Sequence, residues 1–341
     1  MANQKKTVLL TGAGGSIGRE CLQLLLKSRH RYDIRVFDID NPKNREYFDR
    51  FNGKLETFFG DITHREDLIA PIQGVDVVIH FAAVIPPLAR EREDLVQSVN
   101  INGTRNLISV MEEHAPNAFL EYASSVAVYG DRLENPYISV EDPVNPAQDD
   151  AYGAGKVQTE KDIQSSKLQW TIFRLAAIMG AGNHQISGLM FLMPLSTPME
   201  ICTPRDTARA FANAVEHIEE LTGQIFNLGV GSECVTTYYD FLSRNFKIFG
   251  LGEMKFPEHA FATKNFHCGI YTDGDDLENI LHFRRDTLED YYKMVKANTP
   301  KIQRMATKLV SGLVQNYLLS KSEPYRAWQS GDEDKIKLYF R

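Results

Sequence analysis

Three side chains of the types used in proton transfer occur in the middle of the sequence, Ser125, Tyr152 and Lys156. Tyr152 and Lys156 are four residues apart on a predicted helix that begins near residue 149 or 150, so their side chains lie on one helix face. A protonated Lys beside a phenol lowers the pKa of the Tyr from about 10, which lets it act as a base near neutral pH. Ser125 can hydrogen-bond the same substrate oxygen. The spacing predicts acid/base chemistry, although Tyr-x-x-x-Lys taken alone is more often an exposed helix pair.

A phosphate-binding turn is predicted near the amino end. An apolar strand at 8–10 runs into glycines at positions 12, 15 and 18, and a helix with apolar residues at helical spacing covers Ser16 to Lys27. Glycines let the backbone approach a pyrophosphate closely, and the helix N-terminus directs free N–H groups at the anion. Asp38 ends a second predicted strand, 31–40, where a carboxylate binds the ribose hydroxyls of NAD and repels the 2′-phosphate of NADP. We therefore expect NAD as the cofactor.

Alternating strands and helices must position these residues. Further strands are predicted at 54–59, 75–83 and 118–124, and helices at 42–51, 65–70, 93–114 and 150–166. This alternation predicts a parallel, doubly wound sheet of the Rossmann type. Asp61 follows a strand, where it can either accept from an adenine amino group or cap the next helix. His80, inside an apolar strand, is interpreted as a hydrogen-bonded core residue without a catalytic role.

The motifs T-G-A-G-G-S-I-G, D-I-D, G-D-I-T, I-H-F-A-A, S-S-V-A-V-Y-G and Y-G-A-G-K occur in this order. They resemble the extended short-chain dehydrogenase/reductase superfamily, specifically its NAD-dependent epimerase/dehydratase branch, strongly through residue 180 and more loosely beyond. The resemblance implies that Ser125 orients the substrate, that Tyr152 is the acid/base and that Lys156 binds the nicotinamide ribose while tuning Tyr152. It implies contacts to the pyrophosphate, adenosine ribose, adenine and nicotinamide from, in chain order, Gly12, Gly15, Ser16, Ile17, Gly18, Asp38, Ile39, Asp61, Ile62, Phe81, Ala82 and Ala83, besides Tyr152 and Lys156.

Two departures from this branch narrow the reaction and the substrate. Sugar-nucleotide dehydratases of the branch carry Thr-Asp-Glu where this chain has Ser125, Val126 and Ala127. Aliphatic side chains move no proton, so 4,6-dehydration and the related decarboxylation are disfavoured. An Asn common at the position of Ala177 is missing, and residues 183–204 contain no Lys or Arg to bind a diphosphate. The case for a nucleotide sugar is thereby weakened; Met190 to Leu195 are interpreted as packing the small lobe, with an apolar substrate wall as the alternative.

The composition indicates a globular protein with small-molecule partners. Of 341 residues 43% are hydrophobic, which is enough for a large core, and the net charge of −7 argues against nucleic acid as a partner. The four cysteines lie far apart without C-x-x-C spacing, so we expect neither disulfides nor a metal site, and a reducing compartment. No signal-type segment and no stretch approaching ~18 consecutive apolar residues occurs. We expect a cytoplasmic protein without a membrane span.

The domain organisation is expected to comprise an NAD-binding domain at 1–180, to which 206–229 return, and a substrate lobe with a helical tail at 181–341. The resemblance implies a homodimer through the helices 93–114 and 150–166. A basic amphipathic helix is predicted at 299–319. Such a helix packs on the protein body or a partner subunit more often than on a membrane, and Tyr325 and Trp328 are expected to anchor the tail.

These observations lead to one function hypothesis and one alternative. The hypothesis is an NAD-dependent oxidoreductase or epimerase that transfers hydride at a secondary alcohol or ketone carbon of a sugar, either a nucleotide sugar or a smaller, less charged hydroxy compound. The alternative is a non-enzymatic NAD-sensing regulator. Relatives with such a role commonly lose the Tyr or the Lys, whereas both are present here.

Overall fold

The structure is a computed structural model and describes residues 5–180 and 187–340. Its strands, in chain order, are β1 (Lys6–Thr11), β2 (Tyr32–Asp38), β3 (Glu56–Phe59), β4 (Val77–His80), β5 (Phe119–Ser125), β6 (Tyr137–Ile138), β7 (Gln169–Leu175), β8 (Ala177–Ile178), β9 (Pro198–Cys202), β10 (Gln224–Leu228), β11 (Val235–Thr237) and β12 (Ile270–Tyr271). Its α-helices are α1 (Ser16–Lys27), α2 (Pro42–Asp49), α3 (Ile69–Ile72), α4 (Leu88–Glu91), α5 (Glu93–Leu95), α6 (Thr104–His114), α7 (Ala151–Gln164), α8 (Pro204–Ala214), α9 (Ile218–Leu221), α10 (Tyr238–Phe249), α11 (Gly274–Leu281), α12 (Leu288–Ala297), α13 (Lys301–Leu309), α14 (Ser311–Ser320), α15 (Glu323–Ser330) and α16 (Glu333–Tyr339).

Seven strands form one parallel sheet in the order β10-β7-β5-β4-β1-β2-β3. The central strands are buried along almost their whole length, as expected for a sheet covered on both faces. Residues of α1 and α8 pack on one face, and residues of α6 and α7 pack on the other. From β1 the chain builds the sheet outward through β2 and β3 on one side, and then continues with β4 and β5 on the other side of β1. At this reversal of strand order a ligand crevice opens at the carboxyl ends of the strands. The predicted Rossmann-type α/β fold is confirmed.

The helix predicted at 93–114 is not one regular α-helix. Between α5 and α6 the residues Val96–Gly103 form a π-helix. Asn100 lies in this segment and exchanges two hydrogen bonds with the backbone of Val84, at 2.7 and 2.8 Å, while the Thr104 hydroxyl donates to the Asn100 carbonyl. A single widened stretch that brings an amide to a neighbouring loop is typical of π-helical turns, and hydrophobic periodicity does not reveal it.

The second lobe is built from short elements around a separate core. Strands β11, β9 and β8 form a three-stranded sheet, and β12 pairs with the dipeptide strand β6. Residues of α10, α12 and α14 surround the buried side chains of Met190, Phe191 and Met193. No helix of the described residues is long and apolar enough to cross a membrane.

The carboxyl-terminal helix predicted at 299–319 is interrupted at Val310, which separates α13 from α14. The inner side of α13 lies against the end of α10, where Gly250 is next to the Arg304 backbone, but none of its residues is buried. Helix α14 buries Gln315 and Leu318. Trp328 stacks on His259 with ring centroids 3.6 Å apart, and this contact holds the tail against the second lobe.

Candidate active site

The glycine turn between β1 and α1 requires glycine at two positions. Gly12 has a φ of +67°, and a Cβ there would lie 2.6 Å from the backbone nitrogen of Ala82. A Cβ at Gly18 would lie 2.5 Å from the carbonyl oxygen of Gly12. Gly15 precedes the first turn of α1, which begins at Ser16 as the sequence predicts and has no side-chain cap. The turn therefore has the close backbone approach and the free N–H groups that suit a bound pyrophosphate.

Asp38 lies at the carboxyl end of β2, beside the glycine turn. Its carboxylate accepts hydrogen bonds from Gly14 N at 2.7 Å, from Ile39 N at 2.8 Å and from Asn44 Nδ2 at 2.9 Å. Burial raises the pKa of Asp38, and these donors and Arg19 oppose that rise. The side chain of Ile39 is exposed. These bonds fix the carboxylate beside the glycine turn.

The two residues predicted at the adenine side, Asp61 and Ile62, have different surroundings. Asp61 Oδ1 accepts from the backbone and hydroxyl of Thr63 at 2.9 and 2.8 Å, so it closes a turn, while the helical segment from Arg65 onward has no side-chain cap. The helix-capping alternative is therefore wrong. Ile62 is buried against Gly103 in the hydrophobic core. Its side chain fills the space that Gly103 leaves, so any contact of Ile62 to adenine would come from its backbone.

Ser125 and Tyr152 meet at the end of β5. Ser125 is the last residue of that strand, and its Oγ accepts from Ala127 N at 3.2 Å. Asp150 caps α7 through Gly153 N, which fixes Tyr152 in the first turn of the helix. Burial raises the pKa of Tyr152 to about 12, and the hydrogen bond from Ser125 reduces that rise. At neutral pH the phenol keeps its proton.

Lys156 is buried one turn further along α7, but its ammonium group does not reach the Tyr152 phenol. Nζ donates to the Ala123 carbonyl at 2.6 Å and to the Tyr122 hydroxyl at 3.1 Å, and it lies 5.8 Å from the Tyr152 ring centroid. Burial lowers the pKa of Lys156 to about 7, against the opposing charge of Glu160. The expected lowering of the Tyr152 pKa by Lys156 is therefore not found, because burial has the largest effect on the pKa of each group and neither group shifts the pKa of the other.

A buried chain of polar contacts that the sequence analysis missed begins at Glu160, one helical turn after Lys156 on α7. Arg174 on β7 binds Glu160 at 2.8 Å and donates to the Tyr129 hydroxyl at 2.7 Å. The Tyr129 hydroxyl donates to Asn227, at 2.7 Å, and the Asn227 amide donates to Asp273 at 2.9 Å. The one available signal was Glu160, four residues after Lys156 on the same helix face. The chain connects α7 to β10 and to the residue that precedes α11.

His80 has the structural role that the sequence predicts. It is buried between the hydroxyls of Thr11 and Thr104, with ring nitrogens 2.6 and 3.0 Å from them. Burial lowers its pKa to about 3, and the charge of Lys156 adds to that effect. His80 therefore stays neutral at physiological pH and holds β1, β4 and α6 together.

A cavity of about 1110 Å³ extends from the glycine turn into the second lobe. Most of the predicted residues line it, namely Gly12, Gly15, Ser16, Ile17, Gly18, Phe81, Ala83, Ser125, Tyr152 and Lys156. The predicted residues outside its wall are Asp38, Ile39, Asp61, Ile62 and Ala82. Within the described ranges, no group of three or more His, Cys, Asp and Glu side chains is arranged to hold a metal ion.

The far end of the cavity is apolar. Its lining there comes mainly from side chains of the second lobe, including Met179, Leu189, Met190, Leu192, Met193, Met199, Tyr238, Phe241, Leu242, Phe249, Leu251, Tyr291, Val295 and Val314. Arg90 and Lys156 are the Lys and Arg side chains among the described lining residues, and Arg90 is paired with Glu323 at 3.1 Å. His267 also lines the cavity and was not predicted from the sequence; its Nδ1 lies 2.9 Å from a carboxylate oxygen of Asp150. The segment 190–195 thus both packs the lobe and contributes to the cavity wall.

The fold and the site together define an extended short-chain dehydrogenase/reductase, and the superfamily predicted from the motifs is confirmed. Within that superfamily, a model of the 3-beta hydroxysteroid dehydrogenase/isomerase family matches residues 9–185. The chain belongs to this family.

Other known proteins resemble the chain less specifically. An uncharacterized membrane protein of Methanocaldococcus jannaschii is 36% identical over 125 residues, which are 36% of this chain and 37% of that protein. The match thus spans little more than a third of the relative's length. A UDP-glucuronic acid 4-epimerase of Bacillus cereus, solved with UDP-glucuronic acid and NAD, is 20% identical, with a TM-score of 0.71, over 87% of this chain and 99% of its own. A short-chain dehydrogenase/reductase superfamily protein of Agrobacterium tumefaciens, solved with NAD, is 20% identical, with a TM-score of 0.63, over 89% of this chain and 99% of its own. These likenesses support the fold.

Proposed function

We propose that the protein is an NAD-dependent oxidoreductase that acts at a secondary alcohol or ketone carbon of a largely apolar molecule. The observation that carries this proposal is the single cavity in which the glycine turn, the Ser125–Tyr152 pair and an apolar wall face one another. Known structures of the same fold contain NAD, and the family match agrees with a dehydrogenase or isomerase.

The residues present fit NAD, since a Cβ at Gly12 or Gly18 would collide with backbone atoms where a pyrophosphate is to approach. When bound, NAD supplies or accepts a hydride at the reacting carbon. Gly12, Gly15 and Gly18 would hold its pyrophosphate, and Asp38 would bind a ribose. Lys156 is proposed to bind the nicotinamide ribose, as the family pattern implies.

Tyr152 is proposed to exchange the proton of the reacting oxygen. With a pKa of about 12 it retains its proton at neutral pH, so it is ready to donate that proton to a ketone oxygen. Ser125 hydrogen-bonds the same side chain, and it is positioned to orient the oxygen. The protonated phenol is the form that reduction of a ketone uses, and the reverse oxidation uses the phenolate. Epimerisation would use the same groups and remains a second outcome.

The proposed substrate follows from the wall of the cavity. A nucleotide sugar carries a pyrophosphate that needs cations or N–H donors. Of the two described lining cations, Arg90 is paired with Glu323 and Lys156 donates to a backbone carbonyl. Met, Leu and Phe side chains instead fit a hydroxy or keto compound with an apolar skeleton, such as a hydroxysteroid. Val126 and Ala127 are buried and aliphatic, which disfavours 4,6-dehydration.

The decisive experiment measures NADH oxidation with a panel of apolar ketones and NADH formation with the matching alcohols, beside UDP-glucose and UDP-glucuronic acid. We expect turnover with an apolar pair and little with the nucleotide sugars. Turnover confined to the nucleotide sugars would contradict the substrate proposal. If every compound fails although NAD binds, the non-enzymatic NAD-sensing alternative replaces the enzyme.

Assembly and location stay predictions. The helical segments proposed for a dimer interface carry an ion pair between Arg105 and Asp162 at 2.7 Å on their outer side. We propose a homodimer through these segments, and light scattering at micromolar concentration tests it: a monomer would contradict it. The proposed division into an NAD-binding domain, 1–180 with 206–229, and a substrate lobe, and the proposed cytoplasmic location, rest on the sequence analysis.

A further inference from the structure

The carboxyl-terminal helices α13 and α14 present an apolar stripe to solvent. Ile302 is 83% exposed, Met305 71%, Leu309 88%, Leu313 72% and Tyr317 62%. With Val310, these are six of the thirteen exposed large hydrophobic residues in the described part of the chain. Scattered exposed apolar residues are ordinary, but such a concentration on one pair of helices marks an interaction surface.

A row of cations runs beside this stripe. Lys301, Arg304 and Lys308 have the same spacing as Ile302, Met305 and Leu309, displaced by one residue, and therefore follow the apolar stripe along one flank of α13. None of the three takes part in an ion pair with the described residues.

The charge of this segment is opposite to that of the whole chain. Residues 299–322 contain four cations, with Lys321 as the fourth, and no Asp or Glu, in a protein of net charge −7. Lys321, directly after α14, lies 5.3 Å from the ring centroid of Tyr317, so a fourth cation lies beside the apolar stripe. An apolar stripe with cations along its edge is the pattern of a helix that lies in the interface of an anionic bilayer, where the apolar side chains enter the acyl region and the cations contact phosphate.

The inner side of the same helices forms part of the cavity wall. Gln303 and Thr307 of α13 and Val314 of α14 line the cavity, and Gln303 is also exposed at the surface. The apolar end of the cavity therefore reaches the surface beside the stripe. A surface that docks on lipid at this position brings the opening of an apolar cavity to the bilayer.

We propose that α13 and α14 form a docking surface for anionic lipid bilayers. The protein binds reversibly and peripherally, with Ile302, Met305, Leu309, Leu313 and Tyr317 inserted among the acyl chains. A second copy of the chain is the competing occupant of an apolar face, but two copies would bring the unpaired cation rows of both helices together. The docking itself does not depend on the proposed reaction, because it concerns the outer face of the helices.

The test is flotation of the full-length protein with vesicles of phosphatidylcholine alone and of phosphatidylcholine mixed with phosphatidylserine. We expect binding to the anionic vesicles, weakening as salt rises. Met305→Asp combined with Leu309→Asp should reduce binding more than tenfold. Lys301→Gln combined with Lys308→Gln should reduce it about 25-fold, at about fivefold for each cation. Tyr239→Asp, which changes a 53% exposed apolar residue on α10, is the matched control and should leave binding unchanged.

The outcomes that overturn the proposal are equally specific. The proposal fails if the wild type does not float with anionic vesicles, or if it floats equally well after both pairs of substitutions. It also fails if light scattering shows that Met305→Asp with Leu309→Asp only converts a dimer to a monomer, because a second copy then covers the stripe. Thermal melting and NAD titration of the same samples report folding. They also separate a failure of the docking surface from a failure of the proposed function.

Discussion

The two ends of the cavity are built by different means. At the cofactor end, side chains stand at strand ends and helix starts, and each polar group is fixed by short bonds: Lys156 to Ala123, and Asp38 to Gly14. At the far end, helices and irregular segments contribute Met, Leu and Phe side chains that make few polar contacts. In the proposed function, the cofactor end determines the chemistry, and the far end, whose Met side chains adapt in shape, determines which molecule is bound.

Removing one side-chain oxygen at each end of the cavity tests most directly whether the two ends have separate roles. Tyr152→Phe keeps the ring but loses the proton donor, so turnover should fall by about 10² to 10⁴ while the NAD dissociation constant changes little. Tyr238→Phe is the matched variant at the far end, where the hydroxyl donates to the Met190 carbonyl. Steady-state kinetics should show only a small loss for it. Equal losses in the two variants would refute the separation of roles.

The second prediction concerns cofactor choice at the cofactor end. Asp38→Ala removes a charged acceptor, worth about 1.5 to 3 kcal/mol, so NAD affinity should fall about ten- to a hundredfold and the preference over NADP should disappear. Fluorescence titration with each nucleotide measures both. Asp40→Ala, two residues away with its carboxylate paired to Arg45, should change neither. Comparable use of NAD and NADP by the wild type would contradict the role of Asp38.

The third prediction tests the apolar end. Leu189→Lys adds a cation to the cavity wall, so the KM for an apolar substrate should rise about tenfold, as expected for an uncompensated buried polar group, with NAD affinity unchanged. Leu195→Lys is the control, because Leu195 is also half-buried but does not line the cavity. Should both variants raise KM alike, the lining would not determine substrate binding.

The smallest effect is expected in stability, through the buried Lys156. Folding lowers its pKa from about 10.4 to about 7. Between these two pH values the unfolded chain binds more protons than the folded protein, so the free energy of unfolding rises with pH. Below pH 7 the folded protein carries the full cost of a buried charge. Lys156→Met removes that dependence. The melting temperature of the variant relative to wild type should be a few degrees higher near pH 6 than near pH 9. Lys161→Met, exposed on the same helix, should show no such change.

Local patterns predicted the parts of the fold that depend on neighbouring residues. α1 begins and ends where its glycines and apolar spacing indicate, and β2 ends at Asp38 as predicted. The π-helix at 96–103 was not predicted, because it is accompanied by hydrogen bonds of Asn100 to the Val84 backbone, which is close in space but 16 residues earlier in the sequence. The burial of Ile62, which lies in a turn, likewise depends on Gly103 of the π-helix.

In the candidate site, too, local sequence predicted some features, and the folded chain determines the others. The positions of Ser125 and Tyr152 followed from motif and helix spacing, but the partners of Lys156 lie on β5 and are set by the sheet. Its altered pKa arises from burial, which no spacing of residues encodes. The apolar cavity wall combines segments from residue 179 to residue 314, so only the folded chain brings it together.

The buried chain of bonds from Glu160 through Arg174, Tyr129 and Asn227 to Asp273 has a consequence for how the molecule comes apart. The Glu160–Arg174 ion pair lies within the proposed NAD-binding domain, and the hydrogen bond from Asn227 to Asp273 joins this domain to the segment after residue 229. Moving the two lobes apart would break this bond and leave the buried amide of Asn227 with one partner fewer. Denaturant should therefore unfold both lobes in one cooperative transition, with fluorescence and circular dichroism changing together.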